Sequence, residues 1–167
     1  MHAESHSTAL RPVDRWFAAY AEDHRHPLNQ RLHVLCVPAI VWSIMALLYA
    51  VPTPAGFPAV LPDFGVAAAI AVVLAAGFWL WLSPPLGVGI LVCVAAGLAI
   101  NEFILQTLGV TGLLVTGALV FVIAWIGQFI GHHVEGRRPS FLTDVVYLMI
   151  GPPWVLAKAY RALGLVW

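Results

Sequence analysis

No lysine or arginine occurs between Leu32 and Gly136 of this 167-residue chain. Charged residues make up only 10% of it, against about 25% in an ordinary soluble domain. So few charges cannot clothe a water-facing surface, and lipid is expected to cover much of this one. The formal net charge is zero, which removes nucleic acid as a partner, because phosphate contacts need a basic face. Cysteine is scarce too. Cys36 and Cys93 lie far apart in apolar surroundings with no CxxC. That excludes a thiolate zinc finger and a disulfide framework, and leaves both as small core residues. The N-terminal stretch has no apolar core ahead of a cleavage site, so no cleavable signal peptide is expected. Residues 1–20 read as a flexible leader to a single domain spanning 1–167.

What the chain has instead is hydrocarbon, at 61% hydrophobic residues. Four apolar runs approach the roughly 20 residues that cross a bilayer. They lie at about 34–51, 65–82, 86–106 and 111–131. Turn formers separate them, and short links imply antiparallel neighbours. Gly77, Gly89, Ala95, Ala96, Gly97, Gly112 and Gly117 would let these helices approach closely. Trp79, Trp81 and Trp125 fall near predicted helix ends, where indole favours the membrane interface. The C-terminal segment from Phe141 is apolar but carries Pro152 and Pro153, which argue against one straight helix. The expected fold is therefore an all-α integral membrane protein. It consists of a four-helix transmembrane bundle plus a proline-broken C-terminal segment, re-entrant or interfacial, with a fifth crossing as the alternative.

All eight basic residues lie near the two ends of the chain. Positive residues stay on the cytoplasmic side, so both termini are expected there, which requires an even number of crossings. The histidines follow the same pattern. His2 and His6 are in the leader. His24, His26 and His33 precede the first crossing, and His132 and His133 follow the fourth. Four crossings return the chain to its starting side, so the two groups should meet at one cytoplasmic mouth of the bundle.

Spacing refines this. Pro27 suits the first position of a helix. Asn29 and His33 are then i and i+4 on one face, and His24 can fold back over the helix start. Gln128 and His132 repeat the i, i+4 relation, with Glu135 three residues beyond. Each side thus offers an imidazole with a hydrogen-bonding neighbour, as a metal ligand requires. Neutral imidazole suits iron, zinc or copper. Arg25, Arg31, Arg137 and Arg138 are placed to receive a carboxylate or a lipid headgroup. The plainer reading is that histidines and arginines at membrane ends simply meet headgroups, and it is strongest for His26 and His133. Asn101 and Glu102, inside the third run, are a second polar signal. They are expected at the opposite end of the bundle, with Glu102 facing away from the histidines. Asp63 and Asp144 read as loop and helix-cap residues.

Two stretches resemble a known family. One is Asp23-His24-Arg25-His26-Pro27-Leu28-Asn29-Gln30-Arg31-Leu32-His33. The other is Gln128-Phe129-Ile130-Gly131-His132-His133-Val134-Glu135 with Pro139. Together, in this order, they resemble the 2-hydroxy fatty acid dioxygenases, small membrane enzymes of fatty-acid α-oxidation. The resemblance implies an Fe(II) enzyme that takes a long-chain 2-hydroxy fatty acid and O₂ to the one-carbon-shorter acid and CO₂. It also implies a bacterial inner membrane or endoplasmic reticulum location. Carried over by motif, His24, His33 and His132 are the metal ligands, and His133, at a variable position, is the least secure fourth. Asn29, Gln128 and Glu135 match further motif positions and count as catalytic candidates. The acyl chain would lie between helices, near Trp42, Ile44, Phe121 and Phe129. Rival readings are a haem-binding electron carrier with His33 and His132 as axial ligands, and a non-enzymatic membrane scaffold. A carboxylate-rich di-iron enzyme needs more histidines than cluster here.

Overall fold

A short amphipathic helix opens the computed structural model, which describes residues 11–58, 60–136 and 141–167, with no side-chain account of 141–145. This is α1, Pro12–Glu22, followed by α2, Pro27–Tyr49, α3, Val66–Leu82, α4, Pro84–Glu135, and α5, Phe141–Ala162. The described residues form no strand; the only pairing of that type is an isolated bridge between Pro52 and Phe64. His2 and His6, together with Arg137, Arg138 and Pro139, lie outside the described residues.

The third and fourth apolar runs form a single 52-residue element, α4. It is not one rod. Gly109 has φ 70° and ψ −178°, a backbone region open in practice only to glycine. The contacts of α2 show what happens there. Trp42 meets Gly97 and Tyr49 meets Glu102, so α2 runs parallel to the first arm of α4, 84–108. Asn29 meets Gly131, Cys36 meets Gly127 and Ala46 meets Gly117, so α2 runs antiparallel to the second arm, 110–135. The chain therefore reverses at Gly109, and α2 lies against both arms of the hairpin.

Small residues set the distances. A Cβ added at Gly127 would stand 2.6 Å from Cys36 Sγ, and one at Gly117 would stand 3.2 Å from Ala46 Cβ. Gly97 and Gly117 act as the sequence suggests. Gly77, by contrast, faces open space, and Gly112 meets only Leu108 of its own element.

Two helices, α2 and α4, are long and apolar enough to cross a membrane; α3 is shorter, at 17 residues. The coarse expectation of an all-helical apolar bundle holds. The expected break in the C-terminal segment does not. α5 runs as one helix through Pro152 and Pro153. A proline at 153 removes the N–H that would bond the carbonyl of Met149. Trp79 replaces it, its indole N–H donating to Met149 O at 2.9 Å. Trp79 is accordingly buried and structural rather than at an interface.

α1 and α5 pack together through Val13, Phe17, Tyr20, Ile150, Trp154 and Ala157, closing the bundle beside the start of α4 at Leu86. Tyr147 Oη donates to Asp23 Oδ2 at 3.1 Å, fastening α5 to the end of α1. The α1–α2 link is thereby held over the end of α4.

Candidate metal centre

His24 sits in that link, His33 in the second turn of α2, and His132 in the last turns of α4. One ring nitrogen from each lies within 4.8 Å of the others. His24 and His33 are buried and His132 is partly buried. Segments a hundred residues apart in sequence therefore meet, as the topology argument expects.

The local chemistry fixes how two of these rings face. His24 Nδ1 is 2.6 Å from the carbonyl oxygen of Tyr20, and His33 Nδ1 is 2.9 Å from that of Asn29. A carbonyl only accepts, so both Nδ1 atoms carry the hydrogen. In neutral rings both Nε2 atoms then present lone pairs, and these stand 2.9 Å apart. Two lone pairs that close need a cation or an added proton between them. Burial pushes His24 below its ordinary value of 6.5, so the added proton is disfavoured. A separation of this size is what two nitrogens about 2.0–2.1 Å from one ion show when nearly at right angles. Donating the far nitrogen to a backbone carbonyl is also how metal-bound imidazoles are usually oriented. The donor set fits a metal ion.

The Tyr20 ring stacks on His24 with centroids 4.1 Å apart and planes 10° from parallel. Gln30 Nε2 donates to His24 O at 2.8 Å, and Lys158 Nζ donates to Gln30 Oε1 at 2.7 Å. The His24 backbone is thus braced from α2, and through Gln30 from α5.

Glu135 has a different place from the one its spacing suggests. It does not line the histidine cavity. Its carboxylate accepts the backbone N–H groups of Arg25 and His26, each at 2.9 Å, and Asn29 Nδ2 at 3.0 Å. It caps the start of α2, where unpaired N–H groups and the helix dipole favour negative charge. Gly136, with φ 73°, ends α4 immediately after it. Asn29 is fully buried, and its side chain faces Gly131 so closely that any Cβ there would collide with Oδ1. Glu135 and Asn29 therefore pin the His24–His33 segment to the helix that carries His132.

The other expected residues divide clearly. Gln128 lines the cavity with the three histidines. His133 is exposed and stands outside the cluster. His26 caps α2, its Nδ1 accepting from Leu28 N–H at 3.2 Å. Arg25 and Arg31 are exposed, and neither lines the cavity; Arg25 contributes its backbone N–H instead. Glu102 accepts Tyr49 Oη at 2.6 Å and Gln106 Nε2 at 2.7 Å, far along α2 from the histidines.

The sequence reading missed Trp125. It was placed at an interface but lines the cavity, as do Tyr20, Val37, Ile40 and Leu148. Trp125 Nε1 and Gln128 Oε1 are buried and have no partner among the described residues. A buried polar group left unpaired costs about 1–3 kcal/mol. The spacing of 125, 128 and 132 (i, i+3, i+7) marks one helix face, but an apolar run gives no sign of which face turns inward.

The cavity holds about 50 Å³. Beyond it lies an apolar groove of about 450 Å³ between α2, α4 and α5, lined by Trp42, Met45, Cys93, Gly97 and Pro152 among others. The two spaces are lined by neighbouring residues of α2, Val37 and Ile40 on the cavity and Pro38 and Val41 on the groove. Of the residues expected along an acyl chain, Trp42 is in this groove, while Phe129 projects outward at 55% exposure. The cavity also argues against haem, since it has no room for a porphyrin, and His24 Nε2 occupies the space beside His33 Nε2.

A family model described as 2-hydroxy-palmitic acid dioxygenase Mpo1-like matches residues 10–163. No curated protein matches the chain, and no solved structure does.

Proposed function

Because the chain belongs to the 2-hydroxy-palmitic acid dioxygenase Mpo1-like family, we propose that it is an Fe(II)-dependent dioxygenase of long-chain 2-hydroxy fatty acids, embedded in a membrane. The reaction takes R–CH(OH)–COOH and O₂ to R–COOH, CO₂ and H₂O. The C1–C2 bond breaks, C1 leaves as CO₂, and the electrons lost by the two carbons reduce O₂. The observation that carries this reading is the meeting of His24, His33 and His132, with two of the three rings already held in a ligating tautomer.

Those three histidines would hold the iron, and the exposed His133 would not join them. Bound there, iron supplies a Lewis acid for the substrate oxygens and a site for O₂. The rest is the protein's own work of orientation and exclusion of water. The carbonyls of Tyr20 and Asn29 aim two rings. Glu135 and Asn29 hold α2 against the end of α4. Val37, Ile40 and Leu148 give the cavity hydrocarbon walls. Its volume suits an ion and a small polar head, not a long alkyl chain. The tail would lie in the α2–α4–α5 groove, whose size falls in the usual ligand-pocket range of about 300–1,000 Å³.

Burial supports the membrane. Only 28% of the apolar window of α2 and 22% of that of α4 is buried within the chain. The core helix of a soluble protein would be mostly buried. Exposed Val92, Leu119, Ile123 and Ile126 would face lipid. By the distribution of basic residues, the histidine end and both termini would be cytoplasmic. Arg25 and Arg31 would then meet phosphate headgroups there.

The test is incubation of the purified protein with Fe(II), O₂ and 2-hydroxyhexadecanoic acid, followed by mass spectrometry. Pentadecanoic acid is the expected product. Its absence here and across other chain lengths would overturn the reading.

A further inference from the structure

We propose that Trp125 and Gln128 read the polar head of the substrate, the indole N–H binding the carboxylate and the Gln128 amide oxygen accepting the 2-hydroxyl. This rests on the reading of the site as a 2-hydroxy acid site and assigns its recognition to two side chains. Trp125 and Gln128 line the same small cavity as the three histidines. Each has a buried polar atom with no partner among the described residues, one a donor and one an acceptor. The three residues at 125, 128 and 132 share one face of the second arm of α4, so both groups project beside the His132 ring. The other buried, unpartnered atoms, on Asn29, Trp42 and Asn101, belong to residues that do not line this cavity.

A 2-hydroxy acid offers the matching pair on adjacent carbons, a charged acceptor and a hydroxyl donor. The indole N–H only donates, so it suits the carboxylate. The amide oxygen only accepts, so it suits the hydroxyl and leaves an acid without one unsatisfied. A site built to bond a substrate hydroxyl rejects the analogue that lacks it, because the site's own polar group stays unpaired. Selection of 2-hydroxy acids over ordinary fatty acids follows from Gln128. Arg25 and Arg31 do not line the cavity, whereas the unpartnered indole N–H of Trp125 is a buried donor inside it.

The experiment measures anaerobic equilibrium binding of 2-hydroxyhexadecanoate and of hexadecanoate to the full-length, iron-loaded protein in detergent. Wild type is expected to prefer the hydroxy acid. Trp125→Phe keeps the ring and removes the N–H; it should weaken both acids by about tenfold while keeping the preference. Gln128→Leu should weaken the hydroxy acid by about tenfold and leave hexadecanoate unchanged, abolishing the preference. Iron content at the wild-type level shows that each variant retains the site. Should a variant lose its iron, wild-type protein stripped of metal is titrated with the 2-hydroxy and 2-methoxy acids, the second having no hydroxyl to donate. A preference for the hydroxy acid then supports the proposal, and equal binding overturns it. Variants that bind and discriminate like wild type also overturn it. Because binding is read without turnover, a protein that discriminates but forms no product refutes the dioxygenase reading alone. Normal turnover with undiscriminating binding refutes this inference alone.

Discussion

His24 Nε2 and His33 Nε2 stand 2.9 Å apart, each with its opposite ring nitrogen held by a backbone carbonyl. Together with His132 the pair lies close enough to hold one ion. His33→Ala should therefore abolish tight metal binding while leaving helix content near wild type, as read by metal analysis and circular dichroism. His132→Ala should do the same. His133→Ala should keep the metal, because that ring is exposed and lies outside the cluster. His26→Ala should also keep it and cost about 1 kcal/mol, the usual effect of losing a helix N-cap.

Glu135 gathers three donors from the start of α2. Glu135→Gln removes the charge and sets an NH₂ group against at least one of those donors. The expected result is a loss of about 1–3 kcal/mol in stability and a roughly 10–100-fold fall in metal affinity, measured by thermal unfolding and metal titration. A variant with unchanged metal affinity would show that the His24–His33 segment does not need this anchor.

Trp79 and Pro153 form a compensating pair. Trp79→Phe should lower stability by about 1–3 kcal/mol, because Met149 O loses its donor. Adding Pro153→Ala restores a backbone N–H four residues on and should recover much of that loss. A double-mutant cycle on thermal or denaturant unfolding reads the coupling; strict additivity would mean that the indole is not the carbonyl's replacement partner.

These relationships show where sequence reading succeeds and stops. The convergence of His24, His33 and His132 was legible because it depends only on where apolar runs begin and end. The reversal between the third and fourth runs was legible from TLGVT, although the turn is narrower than that stretch suggests, with one non-helical residue, Gly109, between the two helical arms. The continuity of α5 was not legible, since two adjacent prolines signal a break and the donor that repairs one is 70 residues away. Nor was the place of Trp125. An apolar run flanked by lipid and protein has no polar face to show which side turns inward. Glu135 looked like a ligand's neighbour by spacing, but its partners are two backbone N–H groups and the Asn29 amide of another helix, which spacing does not reveal.

The groove beside the histidine cavity makes a separate prediction. Cys93 is exposed on its wall, so Cys93→Trp should fill part of it without disturbing the metal. Turnover of long 2-hydroxy acids should fall more than that of short ones, with iron content unchanged. An equal effect on all chain lengths would place the tail elsewhere.

X-ray absorption at the iron edge of the purified, iron-loaded protein tests the metal centre most directly. The account predicts one iron per chain with scattering from three imidazoles, falling to two or to loss of the metal in His132→Ala. Iron with no imidazole scattering, or a spectrum that His132→Ala leaves untouched, would contradict it.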